Sequence, residues 1–226
     1  MKRGLSVFKL FKKVIQIELS ELRQFIEEIA FFFETKMFEV ETDYLSAINA
    51  VEEKERENIE FLYEDDFQKY GRSFPKQYYN PILLSLFSLL ESWMKRICEL
   101  ENHDSSSHVK ITDLAGNNYI EKSRKYLMLV AELDLSDADK LWSKIREIQK
   151  IRNAIIHNES NILTDKNLKL EKQDLYNLIK KDVRFEFNQS NGDFHIKNKE
   201  YLVEVIQTIT DYLNIILDKI IQKKEK

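Results

Sequence analysis

The sequence predicts a mainly helical, all-α fold, and two observations support it. Only four Gly and two Pro occur in 226 residues, and so few chain-breaking residues favour long helices over a strand-rich fold. Apolar residues also recur at the i, i+3, i+4, i+7 spacing of a helix that buries one face. We expect helices over about 7–34, 36–70, 77–100, 117–132, 137–157 and 201–222.

Two regions are predicted along the chain. Residues 1–74 are expected to form a helical hairpin that packs on, or extends from, the core. Its first helix should end after the apolar run Ile29–Phe33, and its second should be acidic. Gly71 to Pro75 should break the chain, since both residue types interrupt helices. Residues 75–226 are expected to form a helical-bundle domain.

A small β-hairpin is expected at about 183–196, before the last helix. Residues 183–187 and 193–196 alternate between apolar and polar side chains, and Asn188–Gly192 between them is a turn signal. This pattern predicts that His195 is an outward-facing strand residue and not a ligand.

Composition favours a soluble, cytoplasmic protein that contacts no membrane. Charged residues make up 33% of the chain, the single Cys98 lies on an apolar helical stripe, and no run of about twenty apolar residues occurs. The net charge of -4 argues against a protein that coats RNA without regard to sequence.

No P-loop or zinc spacing is present, and His103, Asp104 and His108 are expected in a surface loop. We therefore expect no metal and no cofactor.

Residues 151–159, Ile-Arg-Asn-Ala-Ile-Ile-His-Asn-Glu, are the stretch that suggests chemistry. Arg152 offers a fixed fork of donors to phosphate oxygens. His157 has a side chain that exchanges protons near neutral pH. The alternative is a plain helix end, where the histidine interacts with the last carbonyls and the arginine makes an ordinary ion pair.

Arg152 is predicted to point towards the core or an interface. It occupies the gap in the apolar stripe of Leu141, Ile145, Ile148 and Ile155. A buried guanidinium needs a partner. Glu91 is a candidate, because it stands in the stripe Leu84, Phe87, Met94 and Cys98 of an earlier helix. Glu91 either pairs with Arg152 and fixes it, or lies at the edge of its stripe and reaches water.

The helix around Leu-Leu-Glu-Ser-Trp-Met-Lys-Arg-Ile-Cys and the later helix ending in Ile-Arg-Asn-Ala-Ile-Ile-His-Asn resemble a HEPN domain over roughly residues 77–160. The resemblance implies a helical bundle that dimerises, with the motifs of both protomers in one cleft. It also implies a metal-independent endoribonuclease of toxin–antitoxin or antiphage systems. Arg152 and His157 would be catalytic and Asn153 would assist. Glu159 stands where one subgroup has a tyrosine that its antitoxin modifies.

The resemblance therefore implies RNA as substrate, with DNA inert, and a homodimer with an antitoxin or defence-system protein as a further partner. Lys144, Arg146 and Lys150 make the motif helix locally positive and are the expected RNA-binding residues. Lys122, Arg124 and Lys125 form a second basic cluster, whose lysines are expected to face solvent. Two alternatives remain open: a non-catalytic interaction module, and an antitoxin or regulatory subunit that binds a protein through its acidic N-terminal hairpin.

Overall fold

A computed structural model describes residues 2–104, 108–116, 118–165 and 167–225. The predicted mainly helical fold is confirmed, since about 78% of the described residues are helical and one two-stranded sheet accompanies the helices among them. The longer helices are α1 (Lys2–Asn49), α2 (Arg56–Gln68), α3 (Phe74–Asp104), α4 (Tyr119–Leu129), α5 (Asp139–His157), α6 (Tyr176–Lys181) and α7 (Lys199–Glu225). The strands are β1 (Phe185–Phe187) and β2 (Phe194–Ile196).

The chain folds into two compact units. The first contains Met1–Leu22, Leu84–Arg152 and Glu204–Lys226, and the second contains Arg23–Leu83 and Asn153–Val203. Helix α1 thus contributes to both units. The treatment of residues 1–74 as a region of its own stays a prediction.

The first unit buries the apolar stripes of five helices against one another. Its fully buried side chains include Phe8, Ile15, Leu19, Leu86, Leu90, Met94, Tyr126, Ile145, Tyr212 and Ile216. Cys98 lies in this core as predicted, and burial raises the pKa of its thiol to about 12. Burial of apolar surface at about 25 cal/mol per Å² is the main stabilising term for such a bundle.

Arg124 differs from the two lysines of its cluster, which are predicted to face solvent. Its side chain is buried, with a relative exposure of 7%. The guanidinium donates to the Tyr212 hydroxyl at 3.2 Å and to the Asp139 carboxylate, and lies 4.9 Å from the centre of the Trp142 ring. Arg124 is buried because position 124 belongs to the buried face of α4 with Ile120 and Leu127.

The second unit contains the remainder of α1, helix α2, the start of α3, α6 and the β-hairpin. Its core includes Ile26, Phe33, Leu83, Ile162, Ile179, Phe194, Ile196 and Leu202. The strands pair antiparallel, with Phe185 opposite Ile196 and Phe187 opposite Phe194. Gly192 closes their turn with a φ of +82°, a conformation that favours glycine. The predicted hairpin is confirmed, whereas α6 was missed.

Two predicted breaks in the first 75 residues were wrong. Helix α1 passes through residue 35 and ends at Asn49, because the buried positions Ile26, Ala30, Phe33 and Val40 continue one stripe across that point. At Gly71–Pro75 the chain forms a π-turn, Lys69–Ser73, that leads directly into α3. The Phe74 N–H donates to the Lys69 carbonyl, and Pro75 has no N–H to donate. The helix therefore widens locally into a π-turn instead of ending.

His195 does not face outward as predicted but is buried, with 4% exposure. All three residues of β2 are buried, so both faces of this strand are covered. Its Nε2 lies 3.3 Å from an oxygen of Glu186, the opposite residue on β1, and the other oxygen of Glu186 accepts from Arg72 at 2.9 Å. Burial lowers the pKa of His195, Glu186 opposes this, and Arg72, Lys76 and Lys197 lower it further.

We predict that Arg124→Ala lowers the free energy of unfolding by about 2–3 kcal/mol. The change takes a donor from the buried Tyr212 hydroxyl and leaves a gap beneath Trp142, while exposed Asp139 regains water. Urea unfolding measures the effect. Lys125→Ala, on the exposed side of α4, is the control and should change stability by less than about 0.5 kcal/mol. Equal losses in the two variants would contradict the buried role of Arg124.

We predict that His195 makes the protein less stable below about pH 6.5, the ordinary histidine pKa. Because burial depresses the pKa in the folded state, the unfolded chain binds the proton first as the pH falls, and folding stability is lost. The free energy of unfolding should therefore fall less between pH 7 and pH 5 for His195→Gln than for the parent. His103→Ala, which removes an exposed histidine, should keep the parent's pH dependence. Identical profiles for parent and His195→Gln would refute the assignment.

Candidate functional site at the end of helix α5

Helix α5 carries the Arg152–His157 motif, and its buried stripe fixes which residues face inward. The stripe is Ile145, Ile148, Ile151 and Ala154, all buried. At the N-terminus, a carboxylate oxygen of Asp134 accepts from Ser136 N–H at 3.0 Å, in the short turn that leads into the helix. At the C-terminus, a histidine is favoured by the negative end of the helix dipole. The predicted termination at His157 is confirmed.

Arg152 lies beside this stripe and is half-buried in the first unit. Its guanidinium carbon is 5.8 Å from the centre of the Phe87 ring of α3, a cation–π distance. The aromatic face holds the arginine without cancelling its charge. The expectation that Arg152 points away from open solvent therefore agrees with its surroundings.

Glu91 lies one turn after Phe87 on α3 and is also half-buried. Burial raises the pKa of Glu91 above its ordinary value, and the positive charge of Arg152 opposes the rise. The charge of Arg152 thus acts on the Glu91 carboxyl group, and a direct pairing of the two side chains stays a prediction. The catalytic and supporting roles of these residues stay predictions.

Asn153 and His157 belong to the second unit, and both are exposed. In an α-helix, residues 146, 150, 153 and 157 share one face, at spacings of four, three and four. Arg146 and Lys150 are exposed as well. The exposed face of α5 therefore carries two cations, an amide and the imidazole in one row, and we call these four residues the motif face.

Lys144 is the third predicted RNA-binding residue, and it stands apart from the motif face. Its ammonium group makes a 2.8 Å ion pair with Glu204 of α7. An ion pair of this kind partly cancels the charge that a phosphate would meet. Arg146 and Lys150 are exposed and lie on the same face of the helix as His157.

The turn after His157 is held in an unusual backbone conformation. Glu159 and Ser160 have φ values of +52° and +66°, in the left-handed region that disfavours residues with a side chain. The N–H groups of Asn158 and Ser160 both donate to the Ala154 carbonyl, at 3.1 Å each. Two successive left-handed residues persist only where their surroundings hold them in place.

Asn80 of α3 supplies that restraint. Its side-chain nitrogen donates to the Ser160 hydroxyl at 3.0 Å, and its oxygen accepts from the Ile196 N–H of β2 at 3.2 Å. The buried amide thus joins the turn after the motif to the hairpin. Sequence reasoning missed Asn80, although a lone amide between apolar positions 79 and 83 of a helix was a usable signal.

No family model, curated protein or solved structure matches this chain. The resemblance to HEPN domains accordingly depends on the residues of the motif and of helix α3.

In the described part of the chain, no group of three or more His, Cys, Asp or Glu side chains is arranged to hold a metal ion. His103 and His108 are both exposed as expected, but His103 and Asp104 form the end of helix α3 and not part of a loop.

None of the helices in the described ranges is both long enough and apolar enough to cross a membrane.

We predict that Asn80→Ala destabilises the protein by about 1–3 kcal/mol, because it leaves the Ser160 hydroxyl and the Ile196 N–H buried without this partner. Urea unfolding gives the energy. Hydrogen exchange gives the location, since protection of the Ile196 amide should fall. Asn58→Ala, at an exposed position of α2, is the matched control. Unchanged Ile196 protection in the Asn80 variant would show that the amide does not hold the turn.

Proposed function

We propose that this chain is a HEPN-type endoribonuclease, acting as a toxin or an antiphage-defence effector. The observation that carries the proposal is the arrangement on α5, where exposed Asn153 and His157 follow two exposed cations and Arg152 is held beside an aromatic ring. These groups match what cleavage of a phosphodiester requires: cations for the backbone, a proton carrier and a fixed guanidinium.

The proposed reaction is transesterification within RNA. The 2′-hydroxyl attacks the adjacent phosphorus, the bond to the 5′-oxygen breaks, and the products carry a 2′,3′-cyclic phosphate and a 5′-hydroxyl. His157 accepts the proton of the 2′-hydroxyl or donates one to the leaving 5′-oxygen, and water carries out the other transfer. Arg152 stabilises the charge that develops on the phosphoryl oxygens. Asn153 hydrogen-bonds the phosphate. DNA is inert, because it has no 2′-hydroxyl.

Helix geometry favours an active site that two copies of the chain form together. Residues 152 and 157 are five apart, so about 140° separates them around a regular helix. One helix therefore presents Arg152 and His157 to different directions. In a two-fold dimer, Arg152 of one copy can face His157 of the other across one phosphate. A homodimer is part of the proposal for this reason.

We predict that the purified chain cleaves single-stranded RNA with EDTA present and leaves the matching DNA intact. His157→Ala should lower the rate by at least about 100-fold, the range for loss of a general acid or base. Because His157 is exposed, the variant should unfold at the parent's temperature. His103→Ala, at another exposed histidine, is the matched control and should cut at the parent's rate. End-labelled RNA on a denaturing gel reports both the rate and the cyclic phosphate end.

Mixing variants tests the shared site directly. Arg152→Ala and His157→Ala are each expected to be inactive, but a mixed dimer restores one site that has Arg152 from one copy and His157 from the other. Co-refolded subunits should recover about a quarter of the parent's activity, since half of the dimers are mixed and each mixed dimer has one intact site out of two.

Full activity in His157→Ala alone would assign the cleavage to another site or to a contaminant. If neither the parent protein nor any variant cuts RNA, the alternative of a non-catalytic interaction module is favoured.

A further inference from the structure

A groove lies in the second unit where α2 folds back along the end of α1. Its volume is about 540 Å³, and its lining consists of Tyr44, Glu57, Glu60, Phe61, Glu64, Phe67 and Gln68. Tyr44 makes edge-to-face ring contacts with Tyr63 and Phe67, at centroid distances of 5.7 and 5.4 Å. These contacts fix α2 against α1 and shape one wall of the groove.

Helix α2 exposes apolar surface that a helix in a folded protein usually buries. All 13 residues of α2 are described by the structure, and none of them is buried. Phe61 is 77% exposed and Leu62 is 68% exposed, and on α1 Phe38 and Leu45 are exposed too. Clustered exposed aromatic and aliphatic side chains of this kind mark interaction surfaces.

Charge selects the class of partner for this groove. Glu57, Glu60 and Glu64 lie along one face of α2, at spacings of three and four, and each makes no ion pair within the described part of the chain. Residues 39–66 include eleven acidic and two basic residues. Like charges at i, i+3 and i, i+4 destabilise a helix by a few tenths of a kcal/mol per pair, and a cationic neighbour relieves this repulsion.

The same charges argue against other occupants. Nucleic acid and an anionic membrane surface would both be repelled by three adjacent carboxylates. A groove of this volume accommodates one or two large side chains, and helix-in-groove recognition uses such anchors at i, i+3, i+4 spacing. Aromatic walls of tyrosine and phenylalanine also attract lysine and arginine through cation–π contact.

We propose that this groove docks a cationic amphipathic helix of a partner protein. An apolar anchor of that helix inserts between Tyr44, Phe61 and Phe67, and flanking Lys or Arg side chains pair with Glu57, Glu60 and Glu64. The docking is independent of the Arg152–His157 motif and does not require that the chain cleaves RNA.

The test uses the full chain and a labelled synthetic peptide of about 14 residues, roughly four helical turns, with Leu and Trp on one face and Lys on the other. Fluorescence anisotropy measures binding. A second peptide has Glu at every Lys position. We expect the cationic peptide to bind at least about tenfold more tightly than the acidic one, and its affinity to fall as salt rises.

Four variants locate the binding. Phe61→Ala should weaken the cationic peptide about tenfold, and Glu60→Lys and Glu64→Lys, made one at a time, should each weaken it further. Glu28→Lys, an equal charge change on the exposed side of α1, is the control and should leave binding unchanged. Because all positions changed are exposed, circular dichroism and thermal unfolding should match the parent.

Three outcomes overturn the proposal. Equal affinity for the cationic and acidic peptides would remove the charge argument. An equal loss of affinity in Glu28→Lys and in the Glu60 and Glu64 variants would show that net charge alone attracts the peptide. Sedimentation that shows the parent self-associating and the Phe61→Ala protein monomeric would make a second copy of this chain the occupant.

Discussion

The buried stripe of helix α5 is the constraint on which the candidate site depends. Ile145, Ile148, Ile151 and Ala154 have to face the interior, and this requirement sets the rotation of the whole helix. Once the rotation is set, position 152 lies at the edge of the buried face, and positions 153 and 157 face water. The proposed roles require a half-buried arginine and a solvent-accessible histidine. Both positions therefore follow from the packing of the four stripe residues.

Periodic signals in the sequence predicted the helices well, and long-range contacts explain where prediction was wrong. Helix α5 and the hairpin depend on local patterns of spacing 3.6 and 2, which the sequence shows directly. The burial of His195 depends on what covers the second face of β2, and the restraint on the turn after His157 depends on Asn80, which is 80 residues earlier than Ser160. Such contacts between distant segments cannot be derived from a single local pattern.

Charge is distributed unevenly, which the net value of -4 conceals. Since residues 39–66 carry nine more acidic than basic residues, the remainder of the chain has a small positive excess. The acidic balance that argued against RNA binding therefore belongs to one segment. Its charges favour a basic partner, whereas the motif face of α5 presents cations. One chain thus contains two segments of opposite charge, in agreement with the two different partners proposed for them.

The position of Glu91 affects how Arg152 could act on a phosphate. A carboxylate near the guanidinium offsets the cost of keeping a cation half-buried, but it also reduces the field that an incoming phosphate meets. Burial acts in the opposite direction, because it raises the pKa of Glu91 and so makes the charged carboxylate less stable. In the proposed reaction, Glu91 holds Arg152 before the substrate binds, and the phosphoryl oxygens then replace the carboxylate that burial has partly destabilised.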